Sequence, residues 1–222
     1  ATDRAVQGQG RALLQGVSGN VAFFPLERAG NLHDGYLKTF VAGGLTLPEA
    51  KSQVEWVDRD TLYVATDFGP GSLTRSGYPR VFKRWQRGQP LAQAATVFEA
   101  GVDDVYVGAL VETRPTGQRH VFLKAPDFHT TEAFVLQGGQ PLRVPKPADA
   151  RIHFQGDVLL LQLRSAFTAG GTTHPAGALL ATSFDALLRG EPRFDRLFTP
   201  TATRSLARNG VRFTGTRVLL EV

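Results

Sequence analysis

The sequence predicts an all-β fold and, within that class, part of a β-propeller. Three observations carry the prediction. Twenty-four glycines and 13 prolines punctuate the 222 residues every few positions. The runs between them are short and rich in Val, Phe, Tyr, Leu and Thr, the pattern of strands joined by turns. A hairpin-shaped pattern also recurs along the chain.

Taken in order, strands are expected over 21–26, 36–41, 54–57, 61–67, 80–85, 96–99, 105–112 and 120–124. They continue over 133–137, 141–144, 151–154, 158–164, 178–183, 193–198, 211–213 and 217–222. Alternation of apolar and polar side chains, as in Tyr63-Val64-Ala65-Thr66, supports the strand period. Helical periodicity is confined to 10–15, 90–95 and 184–189. The last follows a strand and carries Asp185 near its start, where a carboxylate suits a helix N-terminus.

The recurring unit is a strand, a polar turn and a more apolar strand. It is seen over 54–64, 152–161 and 211–220, and residues 120–124 and 21–24 fit further second strands. With residues 22, 64, 122, 160 and 219 as equivalents, the steps are 42, 58, 38 and 59. Propeller blades of four strands run roughly 40–50 residues, so the steps fit blades with loop insertions. A β-sandwich with similar hairpins is the alternative, and sixteen strands are many for one sandwich.

Composition excludes several chemistries. With no cysteine there is no disulfide framework, thiolate zinc site, iron–sulfur cluster or cysteine nucleophile. Hydrophobic residues at 42% and charged residues at 20% describe an ordinary globular chain. The longest aliphatic run, Val158-Leu159-Leu160-Leu161, is far shorter than the roughly 20 residues of a spanning helix, and no membrane partner is expected. No methionine occurs, even at position 1, so Ala1 reads as a processed or truncated start. The net charge of +5 comes from twenty arginines and five lysines scattered along the chain. The densest stretch, Lys83-Arg84-Trp85-Gln86-Arg87, lies on an expected strand. Without clustering the charge reads as a solvated surface and not as a nucleic-acid site.

Catalytic signatures are missing. Gly16-Val17-Ser18-Gly19-Asn20 lacks the final glycine of a nucleophile elbow. Gly8-Gln9-Gly10 and Gly69-Pro70-Gly71-Ser72 are incomplete as nucleotide loops and read as turns. His33, His120, His129, His153 and His174 have no ligand spacing, so no metal is expected. Asp58-Arg59-Asp60 reads as a hairpin turn, since Leu62 and Tyr63 stand where a calcium loop needs an oxygen ligand and its glycine. No catalytic residue and no cofactor are assigned. The stretch 66–80 is the most unusual: a long turn-rich loop between strands, a type that often carries function. Asp67, Arg75, Tyr78 and Arg80 are its candidate substrate-binding residues, against the plainer reading of an interstrand loop whose Asp and Arg hold each other in place.

The chain also resembles a family. The likeness lies in Leu47-Pro48-Glu49-Ala50-Lys51, Trp56, Asp60-Thr61-Leu62, Thr66-Asp67-Phe68-Gly69-Pro70-Gly71-Ser72-Leu73-Thr74, Ser76-Gly77-Tyr78-Pro79-Arg80 and Lys83-Arg84-Trp85-Gln86-Arg87-Gly88. Phe40-Val41-Ala42-Gly43-Gly44, Pro90-Leu91-Ala92, Val97-Phe98-Glu99, Gly170-Gly171-Thr172-Thr173, Pro175-Ala176-Gly177 and Leu197-Phe198-Thr199-Pro200-Thr201 add to it. Together these strings resemble the propeller region of bacterial prolyl oligopeptidases. The match is specific from about Tyr36, looser after Val105, and weaker over residues 1–35. In that family a seven-bladed propeller caps an α/β-hydrolase domain that carries the catalytic serine, aspartate and histidine.

The resemblance implies that residues 1–222 are a partial propeller of about four to five blades, with the α/β-hydrolase domain absent. It implies a non-catalytic, substrate-gating region of a serine peptidase that cleaves short peptides after proline. The partners would be the C-terminal α/β-hydrolase domain of the same protein and short peptides. The compartment would be the cytoplasm, with the periplasm or the exterior as the alternative. Two other functions fit the residues: a free-standing propeller that binds peptides or carbohydrates, and a glycosidase built on paired carboxylates.

Overall fold

The computed structural model describes residues 21–24, 36–39, 45, 47–48, 50–114, 116–207, 209–214 and 217–222, with 21–24 and 36–39 described by backbone alone. The chain divides into two compact units, one of residues 1–128 with 133–142 and one of residues 129–132 with 143–222.

In the first unit, β1 (Val21–Phe24) pairs antiparallel with β2 (Tyr36–Thr39). A four-stranded sheet follows in sequence order: β3 (Gln53–Trp56), β4 (Thr61–Ala65), β5 (Val81–Gln86) and β6 (Ala95–Glu99). All its neighbours are antiparallel. The central strand β4 is buried along its whole length, which explains its unbroken run Thr-Leu-Tyr-Val-Ala. Because successive side chains alternate, its residues divide between two cores. Leu62 and Val64 join Leu45, Leu47, Trp85 and Ala94 on one face, with Trp56 and Phe68 half-buried against them. Tyr63 and Ala65 join Phe82 and Phe98 on the other.

That second core is shared with the next sheet: β7 (Tyr106–Arg114), β8 (Gly117–Ala125), β9 (Glu132–Gln137) and β10 (Gln140–Arg143), again in sequence order. Val107 and Phe122 of this sheet lie against Tyr63, Phe82 and Phe98 of the first. Phe98 and Phe122 stack with centroids 5.0 Å apart. The two sheets thus pack face to face, and burying each such aromatic is worth roughly 1.5–3 kcal/mol.

The second unit holds a third four-stranded sheet of β11 (Arg151–Gln155), β12 (Val158–Gln162), β15 (Leu179–Ser183) and β16 (Asp195–Phe198). Between β12 and β15 the chain makes a separate hairpin of β13 (Phe167–Ala169) and β14 (Thr172–His174). After β15 comes α1 (Phe184–Leu188), whose N-cap Ser183 accepts a hydrogen bond from the Ala186 N–H and whose first turn carries Asp185. A last hairpin, β17 (Val211–Thr214) and β18 (Arg217–Leu220), packs Val211, Phe213, Val218 and Leu220 onto Leu160, Leu179 and Ala181 of the third sheet.

Each of the sixteen expected strands is present, with ends shifted by up to a few residues. The run expected over 61–67 stops at Ala65 because Asp67 turns the backbone, accepting from the Gly69 N–H. The hairpin β13–β14 was not expected. The helix at 184–189 is α1, the one at 90–95 is a single 3-10 turn over Leu91–Gln93, and 10–15 lies outside the described residues. Of the five residues taken as equivalents, 64, 122 and 160 fall on the second strand of a four-stranded sheet, 219 on the second strand of the hairpin β17–β18, and 22 on β1, the first strand of its described hairpin. Trp85 is buried, its indole N–H donating to the Gln89 carbonyl at 2.7 Å. Trp56 is half-buried on the same core.

Candidate functional site

The loop 66–80 is closed by its own polar groups. Asp67 Oδ1 accepts from the Gly69 N–H at 2.8 Å and from the Ser72 hydroxyl at 3.2 Å. Ser72 is buried, and its Oγ accepts from the Phe68 N–H. A second turn over 74–78 is made by Gly77, whose φ of 75° is the left-handed conformation that glycine adopts without strain. Arg80 clamps the loop to the sheet, donating to the Gly71 carbonyl at 2.8 Å, the Ala100 carbonyl at 2.7 Å and Glu99 at 2.6 Å.

The four residues read as candidates therefore divide in two. Asp67 and Arg80 hold the loop. Arg75 and Tyr78 are exposed on it: Arg75 pairs with Asp103 at 3.0 Å in water, and Tyr78 carries the Lys51 ammonium 4.3 Å from its ring centre. No hydrogen bond or ion pair joins any two of the four. The loop is accordingly held by Asp and Arg bonds to its backbone and not by an Asp–Arg pair. The basic stretch 83–87 is also dispersed: Lys83 lies over Phe68, Arg84 faces the second sheet, and Arg87 binds Asp60 at 2.8 Å. That last contact closes the turn at Asp58-Arg59-Asp60.

A second polar group lies where the first two sheets meet, and the sequence reading missed it. Glu55 on β3 accepts from the Val111 N–H of β7 at 3.0 Å, and burial raises its carboxyl above the ordinary value against that bond. Gln53 bonds the Tyr106 hydroxyl, whose titration burial pushes up. Tyr106 reaches this position by lying over Gly108, where a Cβ would come within 2.5 Å of its oxygen. Gln118 donates to the Val57 carbonyl, and Tyr63 meets His120 at 3.1 Å. Nothing in the sequence marked this set: Gln53, Glu55 and His120 are only half-buried, Tyr106 and Gln118 are exposed, and their meeting across two sheets was not legible. Among the described residues no group of three or more His, Asp or Glu side chains is placed to hold a metal ion. No described helix is long and apolar enough to cross a membrane.

Comparison with known proteins bears on the peptidase resemblance. No family model matches the chain. An uncharacterized peptidase of Sinorhizobium fredii is 32% identical over 193 residues, 82% of this chain and 26% of that protein. An uncharacterized peptidase of Rickettsia prowazekii is 27% identical over 157 residues, 66% of this chain and 22% of that protein. The chain thus spans about a quarter of the length of the curated relatives it matches. A solved post-proline cleaving enzyme from Rickettsia typhi superposes with a TM-score of 0.75 at 24% identity, covering 84% of this chain and 30% of that one. This last likeness is one of fold. The resemblance to peptidases read from the sequence is borne out by these relatives.

Proposed function

We propose that this chain is the propeller region of a prolyl-oligopeptidase-type serine peptidase that cleaves short peptides after proline, each four-stranded sheet being one blade. The region is non-catalytic in this reading. It limits entry to an α/β-hydrolase domain in the same protein and helps keep that site dry. What supports the reading most is the run of consecutive four-stranded sheets, each laid down in sequence order, in a chain similar to about a quarter of a named peptidase. The absence of a nucleophile elbow fits a region that leaves chemistry to another domain.

In this role Asp67 and Arg80 shape the loop 66–80, and Arg75 and Tyr78 offer a cation and an aromatic face to a passing peptide. The test uses the purified 222-residue chain with a chromogenic proline-containing peptide. No turnover is expected. Turnover abolished by a serine-directed covalent inhibitor places a nucleophile within these residues and overturns the reading. The gene supplies the second arm: a Gly-x-Ser-x-Gly downstream of Val222 is expected, and a natural stop there favours a free-standing binding module.

A further inference from the structure

The seam between the first two sheets contains a titratable pair that the gating role does not use. Tyr63 Oη and His120 Nδ1 lie 3.1 Å apart, with ring centres at 5.6 Å and planes at 77°. Tyr63 is on β4 and His120 on β8, so the contact ties one sheet to the other. From β3 comes Glu55, the cross-strand partner of Tyr63, whose carboxylate is engaged by the Val111 N–H. From β5 comes Arg84, also a cross-strand partner of Tyr63, whose charge acts on both Tyr63 and His120. From β7 comes uncharged Val111, opposite His120. On β8 itself, at the two-residue spacing of one face, Gln118 is bonded to Val57, and Lys124 is 3.8 Å from Asp104. From β9 come the apolar Phe134 and Leu136.

We propose that the Tyr63–His120 contact is a pH-operated latch between these two sheets. In this latch neutral His120 carries its proton on Nε2, so that Nδ1 accepts from the Tyr63 hydroxyl. When Nδ1 takes up a proton that acceptor is gone: the imidazolium N–H now points at the Tyr63 oxygen, and the tyrosine hydrogen needs another acceptor. A second cation then sits partly buried beside Arg84. Both effects loosen the seam, so the latch is closed at neutral pH and released on acidification.

The sign follows from linkage. Burial, and then the Arg84 charge, hold His120 below its ordinary value of 6.5. The unfolded chain therefore binds more protons as pH falls below about 6.5, and stability is lost over that window. Glu55 acts oppositely, since burial raises its carboxyl and favours the folded chain as pH falls toward the ordinary carboxyl range. The two contributions are separated by substituting His120 alone.

The experiment compares thermal melts of the chain and of His120→Gln from about pH 7.5 to about pH 5.5. The parent chain should lose about 2–4 °C more than the variant over that range. Equal losses overturn the latch. Arg84 is exposed, so Arg84→Gln should fold, and it gives a second readout in the histidine ring NMR titration. The His120 midpoint should move up toward its ordinary value. Tyr63→Phe keeps His120 covered but removes the hydroxyl, and a His120 midpoint unchanged by it overturns the proposal even if His120→Gln does not fold. Either failure leaves the propeller reading of the chain intact.

Discussion

Gly108 shows how one missing methyl group organises a seam. The Tyr106 oxygen occupies the space a Cβ at 108 would need, and that placement is what brings its hydroxyl to Gln53. Gly108→Ala should therefore push the half-exposed Tyr106 ring aside, break its bond to Gln53 and destabilise the chain by about 0.5–1.5 kcal/mol. In a Tyr106→Ala background the same change should be neutral or stabilising, because Ala costs less conformational entropy than Gly in a strand, by about 0.5–1 kcal/mol. A double-mutant cycle from denaturant melts checks this, and an equal cost in both backgrounds contradicts it. The candidate residues of loop 66–80 separate in the same way. Arg80→Ala removes donors from two carbonyls and a carboxylate, and should cost about 1–3 kcal/mol and expose the loop to protease. Arg75→Ala breaks one solvent-exposed pair and should change stability by less than about 0.5 kcal/mol. In the proposed role, any effect of Arg75→Ala on peptide cleavage by the full-length protein should appear in the KM. The sequence marked these residues as unusual, but the Arg80 role depends on backbone partners nine and twenty positions away, while Asp67 bonds Gly69 and Ser72 within its own turn.

Strands were legible because they are short and many are bounded by Gly, Pro or Asp; β4 is buried along its length and β9 alternates. The hairpin β13–β14 escaped because each of its strands is three residues long and mostly Thr and Ala. Its Gly170-Gly171 turn, with φ of 55° and 75°, was the one available signal. The connection from β10 to β11 was equally opaque. Its backbone is gathered by Lys146, whose three ammonium hydrogens are shared among the carbonyls of Thr131 at 2.6 Å, Ala150 at 2.9 Å, Pro147 at 3.0 Å and Ala148 at 3.2 Å. Burial pulls this amine down to about 8 from 10.5. The unfolded chain then holds more protons between those values, so the Lys146 contribution to stability grows as pH rises from about 8 toward 10.5. Melts over that range should show a rise in the parent chain, relative to Lys146→Met, that is fully developed only at the upper end. Parallel curves contradict it.

At the scale of the whole molecule, the repeat of four-stranded sheets was readable from the spacing of second strands at 64, 122 and 160, because each blade-sized unit repeats one hydrophobic pattern. Function was not readable from side-chain chemistry. The residues carry turns, seams and exposed loops, and the peptidase assignment rests on similarity to longer proteins. The central claim is that this region restricts what reaches a catalytic domain elsewhere in the protein. The most direct measurement is a cleavage competition by the full-length enzyme between a short proline-containing peptide and the same segment displayed on a folded protein. The peptide should be cut and the folded protein spared, and removing residues 1–222 without unfolding the remainder should erode this preference. Equal cleavage of peptide and folded protein by the intact enzyme would contradict it.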